Sequence, residues 1–199
     1  GLGVAPKCFI LKKTSDTSAW SMYHESVGNT KFLTLNGTGA ATTGATVWNN
    51  TSPTSSVFSV GTGDNGNASG ATYVAYCFAE KKGFSKFGSY TGNGNIDGPF
   101  NYCGFKPAFL MLKKTSGTGD WFINDVKRNT FNVVNTQLYP NLNAAEENVN
   151  ATQLDILSNG FKLRGTSANA LNSGNDTYIF MAFAEDPLVS SNGVAATAR

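Results

Sequence analysis

Gly3-Val-Ala-Pro-Lys-Cys-Phe-Ile-Leu-Lys-Lys-Thr-Ser15 and Gly104-Phe-Lys-Pro-Ala-Phe-Leu-Met-Leu-Lys-Lys-Thr-Ser116 stand 101 residues apart and share Gly, Pro, Leu and Lys-Lys-Thr-Ser in register. The correspondence runs without a gap to Trp20 and Trp121, and on to Met22 and Ile123. A second pair lies further along. Ala71-Thr-Tyr-Val-Ala-Tyr-Cys-Phe-Ala-Glu80 corresponds to Asp176-Thr-Tyr-Ile-Phe-Met-Ala-Phe-Ala-Glu185 at a spacing of 105. Internal similarity at a fixed period marks an architecture built from copies of one unit. The change of spacing requires a few extra residues in the second copy, in the variable middle that includes Leu138-Tyr-Pro-Asn-Leu142.

Outward from these anchors, the unit reads as β. Phe9–Leu11 and 109–112 are short apolar runs bounded by Pro and by Lys-Lys-Thr-Ser, the pattern of buried strands. Trp20–Tyr23 and 121–124 follow a polar turn and form hairpins with them. Further strands are expected at 31–35, 57–60, 73–79, 161–163 and 178–184, with Phe58 and Val60 corresponding to Phe161 and Leu163. Residues 73–79 are apolar on both alternating faces, which predicts cover on both sides. Asn143-Ala-Ala-Glu-Glu147 offers one helical turn capped by Asn143.

The expectation is an all-β chain of two tandem sandwich- or jelly-roll-like repeats related by internal duplication. The first spans residues 1–82. The second spans 83–199 and includes its own leading strand, Gly83-Phe-Ser-Lys-Phe-Gly-Ser-Tyr-Thr-Gly-Asn-Gly94, and a C-terminal tail. The first copy has no counterpart of that leading strand, so a matching piece is expected upstream.

Composition agrees. Charged residues are 14% of the 199, against about 25% in ordinary soluble domains. Gly numbers 22, and the hydrophobic share is 40% with 14 Phe, 7 Tyr and 3 Trp, which argues against disorder. The net charge of +2 is scattered. Lys12-Lys13, Lys81-Lys82 and Lys113-Lys114 are isolated doublets read as solvated surface, not the single basic face of a nucleic-acid binder. No apolar run reaches the roughly 20 residues of a membrane helix. Cys8, Cys77 and Cys103 are too few and too odd for a disulfide framework. Buried free thiols are expected at Cys8 and Cys77.

Few residues suggest chemistry. His24 is the single histidine and is replaced by Asp125 in the second copy, so it reads as a surface or edge-strand residue and not as the base of a triad. Cys and His are too dispersed for zinc. Asp64-Asn-Gly-Asn67 and the Asn- and Gly-rich segment 172–176 resemble calcium loops, but the same residues suit tight turns. Glu80, Glu146, Glu147 and Glu185 do not single out a catalytic pair of the kind a glycosidase needs. Trp20 and Trp121 recur and read as core. Trp48, in Val47-Trp-Asn-Asn-Thr51, has no partner in the second copy and is the candidate for stacking on a sugar ring. No catalytic, cofactor or metal residues are assigned.

Several strings are distinctive: Gly-Leu-Gly-Val-Ala-Pro-Lys at 1–7, Ser-Lys-Phe-Gly-Ser-Tyr-Thr-Gly-Asn-Gly at 85–94, Asp97-Gly-Pro-Phe100, Leu157-Ser-Asn-Gly-Phe-Lys-Leu-Arg164 and Tyr178-Ile-Phe-Met-Ala-Phe-Ala-Glu185. With them the chain resembles a repeated β-domain of large structural proteins of tailed bacteriophages, especially marine ones, in their tail-fibre or lectin-like parts. The resemblance implies a virion location, other virion proteins and further copies of itself as partners, and a host surface glycan as ligand. No cofactor, nucleic acid or membrane insertion is expected. A capsid decoration or other self-assembling component is the alternative, and a polysaccharide-degrading tailspike domain a third reading.

Overall fold

The computed structural model describes residues 2–148, 154–165 and 171–185. The expected C-terminal tail lies outside the described residues. The described residues are all-β apart from two single helical turns, and their strands form several antiparallel sheets.

Sheet I has the order β4-β3-β2-β1-β5. Its strands are β1 (Cys8–Lys13), β2 (Trp20–His24), β3 (Lys31–Thr34), β4 (Thr42–Thr43) and β5 (Tyr73–Phe78). The helical turns α1 (Ala45–Trp48) and α2 (Asp64–Asn67) lie between β4 and β5. Sheet II has the order β6-β14-β8-β9, from β6 (Ser85–Thr91), β8 (Pro107–Lys114), β9 (Trp121–Asp125) and β14 (Thr177–Ala184). Sheet III joins β12 (Leu154–Leu157), β13 (Gly160–Leu163) and β7 (Phe100–Tyr102), in that order. A small ribbon pairs β10 (Thr136–Gln137) with β11 (Glu147–Asn148).

Strand alternation sorts side chains into three apolar layers. Cys8, Ile10 and Met22 of sheet I meet Phe87, Met111, Trp121, Ile179 and Met181 of sheet II, so the two sheets pack face to face as a sandwich. The opposite face of sheet I, with Phe9, Leu11 and Tyr23, is covered by Val47 and Trp48 of α1 and by Phe58 and Val60. The opposite face of sheet II, with Leu110, Leu112, Tyr178 and Phe180, is covered by Leu154, Ile156, Phe161 and Leu163 of sheet III. Polar bonds also join sheets I and II. Trp121 Nε1 donates to Thr34 O at 3.0 Å, and Lys113 Nζ to Thr38 O at 3.2 Å.

The two central sheets are registered alike. Cys8 opposes His24 in β1–β2, and Phe109 opposes Asp125 in β8–β9, each displaced by 101 residues. Cys8 opposes Phe78 as Phe109 opposes Phe183. The backbone N–H of Trp20 donates to Asn36 Oδ1 and that of Trp121 to Asn141 Oδ1, both at 2.9 Å. Ala68 N–H donates to the Tyr73 hydroxyl at 2.8 Å, and Ser173 N–H to the Tyr178 hydroxyl at 3.0 Å. Met22 opposes Leu33, and Ile123 bridges Leu138. The path from Asp125 to Leu138 is four residues longer than that from His24 to Leu33.

Several expectations are corrected. Residues 57–60 form no strand: Phe58 stacks on Phe9 at 4.7 Å, but its backbone has no ladder partner such as β12 gives β13. The helical turn at 143–147 is absent, because Glu147 and Asn148 pair with β10. Asp64–Asn67 is a helical turn rather than a hairpin turn. β5 is only partly covered on its two faces, Tyr73 and Cys77 packing toward α1 and Phe78 toward sheet II. It ends sheet I, with Ala75 and Tyr76 exposed. Lys81 and Lys82 are exposed as expected, but Lys113 is fully buried in the seam between sheets I and II, and burial lowers its amine to about 8.

Candidate functional site

Two sequence-derived candidates, Trp48 and His24, lie inside the fold. Trp48 is fully buried. Its indole N–H donates to Lys31 O at 2.9 Å, and its ring meets Phe9 edge-on at 4.8 Å. A ring enclosed this way cannot stack on a sugar from solvent. The segment carrying it is apolar on one side and polar in Asn49 and Asn50, and α1 turns the apolar side onto sheet I.

His24 is also fully buried, because β2 is an interior strand flanked by β1 and β3. Its Nδ1 accepts from Ser26 N–H at 3.2 Å, leaving Nε2 as the donor to Phe180 O of sheet II at 3.3 Å. Burial opposes the charged imidazolium and lowers the group from 6.5 to about 4. The unfolded chain therefore binds the extra proton between about pH 6.5 and 4, and stability falls as pH falls through that window. Relative to His24→Gln, the wild type should lose on the order of 3 kcal/mol between pH 7 and 4. Urea midpoints of both proteins across this range measure it. Parallel pH dependence would contradict the assignment.

Cys8 is buried, with Sγ 3.9 Å from Met181 Sδ, and burial raises its thiol. Cys77 is half-buried, Cys103 is buried, and all three are free. The acidic residues have separate partners. Glu80 pairs with Lys86 at 2.7 Å, Glu185 with Lys127, Glu146 with Arg128, and Glu147 accepts from the Tyr139 hydroxyl at 2.8 Å. Among the described residues no group of three or more His, Cys, Asp and Glu is placed to hold a metal ion. No helix among the described residues is long and apolar enough to cross a membrane. The expected turn at 172–176 centres on Asn172, which is fully buried and donates to Asn93 Oδ1, Asn95 O and Gly165 O at 2.8–3.1 Å. That side chain pins a loop.

A cavity of about 200 Å³ opens beside residues 126–134, in the longer path of the second half. Its amides serve the fold. Asn132 bonds both backbone groups of Ile156 at 2.9 Å, and Asn129 Oδ1 accepts from Thr136 N–H at 2.7 Å.

The outer face of sheet III differs from all of these. Asn101 is buried, so its neighbours Phe100 and Tyr102 turn outward, 46% and 64% exposed. Phe100 stands in a row with Lys162 and Asp155, and Tyr102 stands opposite Gly160. A Cβ on Gly160 would come 2.1 Å from Asn101 O and 3.1 Å from Phe100 Cε2, so glycine admits β7 and the Phe100 ring at this distance and is itself buried beneath them. Beside the rings Lys162 pairs with Asp97 at 2.5 Å and Arg164 with Asp155 at 2.7 Å. Lys162 holds the exposed Asp97 carboxyl below its usual range. Two cations and two anions cancel, leaving a neutral surface of exposed rings with the Asp97 carboxylate exposed beside them and Asp155 buried under Arg164. Exposed rings can stack on the C–H faces of a polyol, and flanking polar groups can bond its hydroxyls. The alternation Phe-Asn-Tyr at 100–102 was the available sequence signal. It separates the rings from the Asn, but does not say which side faces water.

A family model, Domain of unknown function (DUF7483), matches residues 1–187, and the chain belongs to that family. No curated protein and no solved structure matches it.

Proposed function

We propose that this DUF7483 member is a non-enzymatic binding module of a tailed-phage virion, a tail-fibre or receptor-binding domain that engages host surface glycan through the outer face of sheet III. The observation that carries the adhesion reading is the exposed Phe100–Tyr102 pair, set beside a charge-neutral array of Lys162, Asp97, Arg164 and Asp155. The virion setting rests on the motif strings that resemble phage structural proteins. We further read the chain as two copies of one β unit. The equal registers of β1–β2 and β8–β9, and the paired Trp20/Asn36 and Trp121/Asn141 bonds, support that reading.

The test is binding of the purified chain to a panel of bacterial surface polysaccharides, compared with Phe100→Ala and Tyr102→Ala. Both side chains are exposed, so stability should change little. Each loss should weaken binding roughly tenfold, the scale of a truncated interface anchor. Unchanged binding would remove the sheet III surface from the proposal. Shortened polysaccharide products would favour the tailspike reading. Immuno-electron microscopy of intact particles would separate a tail position from a capsid decoration.

A purely structural role is the second reading, favoured by the outer edge of β5, which no strand among the described residues pairs.

A further inference from the structure

β5 and β14 carry similar side chains in the same register, yet one is buried and the other is not. Tyr73-Val-Ala-Tyr-Cys-Phe78 pairs with β1 as Tyr178-Ile-Phe-Met-Ala-Phe183 pairs with β8. Residues 178–182 of β14 are each at most 4% exposed. In β5, by contrast, Tyr76 is 46% exposed and no residue is buried. The difference is one strand. β14 has β6 on its far side, paired from Thr177↔Thr91 to Phe183↔Ser85, whereas no strand among the described residues pairs the far side of β5. Thr14 N–H donates to Thr72 O at 2.8 Å, so in this antiparallel ladder Tyr73, Ala75 and Cys77 turn their N–H and C=O groups to the open edge. Pro, a bulge or an edge charge ordinarily blunts such an edge. β5 has none of these in Tyr-Val-Ala-Tyr-Cys-Phe.

We propose that the outer edge of β5 is a strand-acceptor site, which takes an extended segment of β6's pattern, antiparallel, from a partner protein. β6 sets the chemistry. It reads Ser85-Lys-Phe-Gly-Ser-Tyr-Thr91, with Phe87 filling the layer between sheets I and II and Tyr90 stacked on Tyr178 at 4.9 Å. The same register on β5 sets a tyrosine opposite Tyr73 and a phenylalanine opposite Tyr76, at the rim of the same layer. A second copy cannot lend its own β6, which its own β14 holds along its whole length.

One position separates the donor from β6. Gly88 faces Phe180, whose Cζ would lie 2.6 Å from an added Cβ, so only glycine fits there. Its counterpart on β5 is Ala75, which leaves that space open. The donor strand therefore carries a side chain where β6 carries Gly88, and a β-branched one favours the extended form.

The experiment titrates the whole chain with two synthetic peptides, one copying residues 83–92 and one copying them with Gly88→Val. Binding is followed by calorimetry and by residue-resolved amide exchange. Both peptides should bind one to one, the valine peptide at least threefold tighter. Exchange at Tyr73, Ala75 and Cys77 should slow at least tenfold on binding. Ala75→Phe should reverse the peptide preference. Ala75→Pro should weaken binding more than tenfold with little change in thermal melting, because its N–H makes no bond to β1. The proposal is overturned if neither peptide binds, or if these amides exchange as slowly in the free chain as those of β14. A dimer that Ala75→Pro dissolves and neither peptide displaces also overturns it, since the occupant would be a second copy. None of these readouts involves saccharide, so the outcome is independent of the sheet III surface.

Discussion

Trp121→Ala is expected to lower the stability of the chain by about 3–5 kcal/mol, the range for removing a large buried aromatic. The indole is 1% exposed and sits where sheet II meets Cys8, Ile10 and Met22 of sheet I. The substitution opens a cavity in that layer and leaves Thr34 O with the Gly37 N–H, at 3.2 Å, in place of two donors. Each effect destabilises, and the cavity dominates because the oxygen keeps one donor. Because the ring belongs to one half and its acceptor to the other, protection from amide exchange should fall in β1 and β8 together. Loss confined to β8 would mean that the sheets are independent units rather than one sandwich. Trp20 is only half-buried, so Trp20→Ala should cost clearly less.

Trp48→Ala is the second large effect, again about 3–5 kcal/mol. Phe9 and Tyr23 both lose an edge-on ring partner, and Lys31 O loses its donor. Urea denaturation measures the loss. At low temperature, where the variant remains folded, saccharide binding should be unchanged, because Trp48 packs under sheet I and the proposed surface is the outer face of sheet III. A weakened affinity with little loss of stability would restore Trp48 as a ligand contact.

These two tryptophans show why part of the fold was legible and part was not. Trp121 recurs with Trp20 at the same spacing, beside a strand whose alternation set one face inward, and the core role read for both holds fully for Trp121, whereas Trp20 is half-buried. Trp48 sits in a segment with no counterpart in the second half. Its burial depends on a one-turn helix folding back onto β1 and β2, a tertiary event that no local period encodes. His24 was misread for a related reason. Its counterpart Asp125 is a polar loop-facing residue that caps Lys127 and Arg128 N–H groups at 2.9 Å, whereas His24 points into the seam toward Phe180 O. Equal register did not mean equal surroundings.

β5 gives the clearest case. From its sequence, two apolar faces predicted cover on both sides, as β14 has. Side-chain pattern reports what a strand is suited to, and its neighbours decide whether that suitability is met. The rings of sheet III carry the reverse lesson. Phe100 and Tyr102 alternate with Asn101 just as core residues alternate with surface ones, yet here the polar residue is inside, its amide donating to Pro99 O at 3.4 Å, and the rings face water. Burying the rings would need a cover that the described chain does not supply on that face.

Carbohydrate titration followed by residue-resolved chemical shifts tests the central claim most directly. With a polysaccharide fragment that the chain binds, the largest shifts are expected at Phe100, Tyr102, Gly160 and Lys162, with Trp48 and the 126–134 loop unmoved. Shifts centred elsewhere, or saturable binding that leaves those four residues unperturbed, would contradict it.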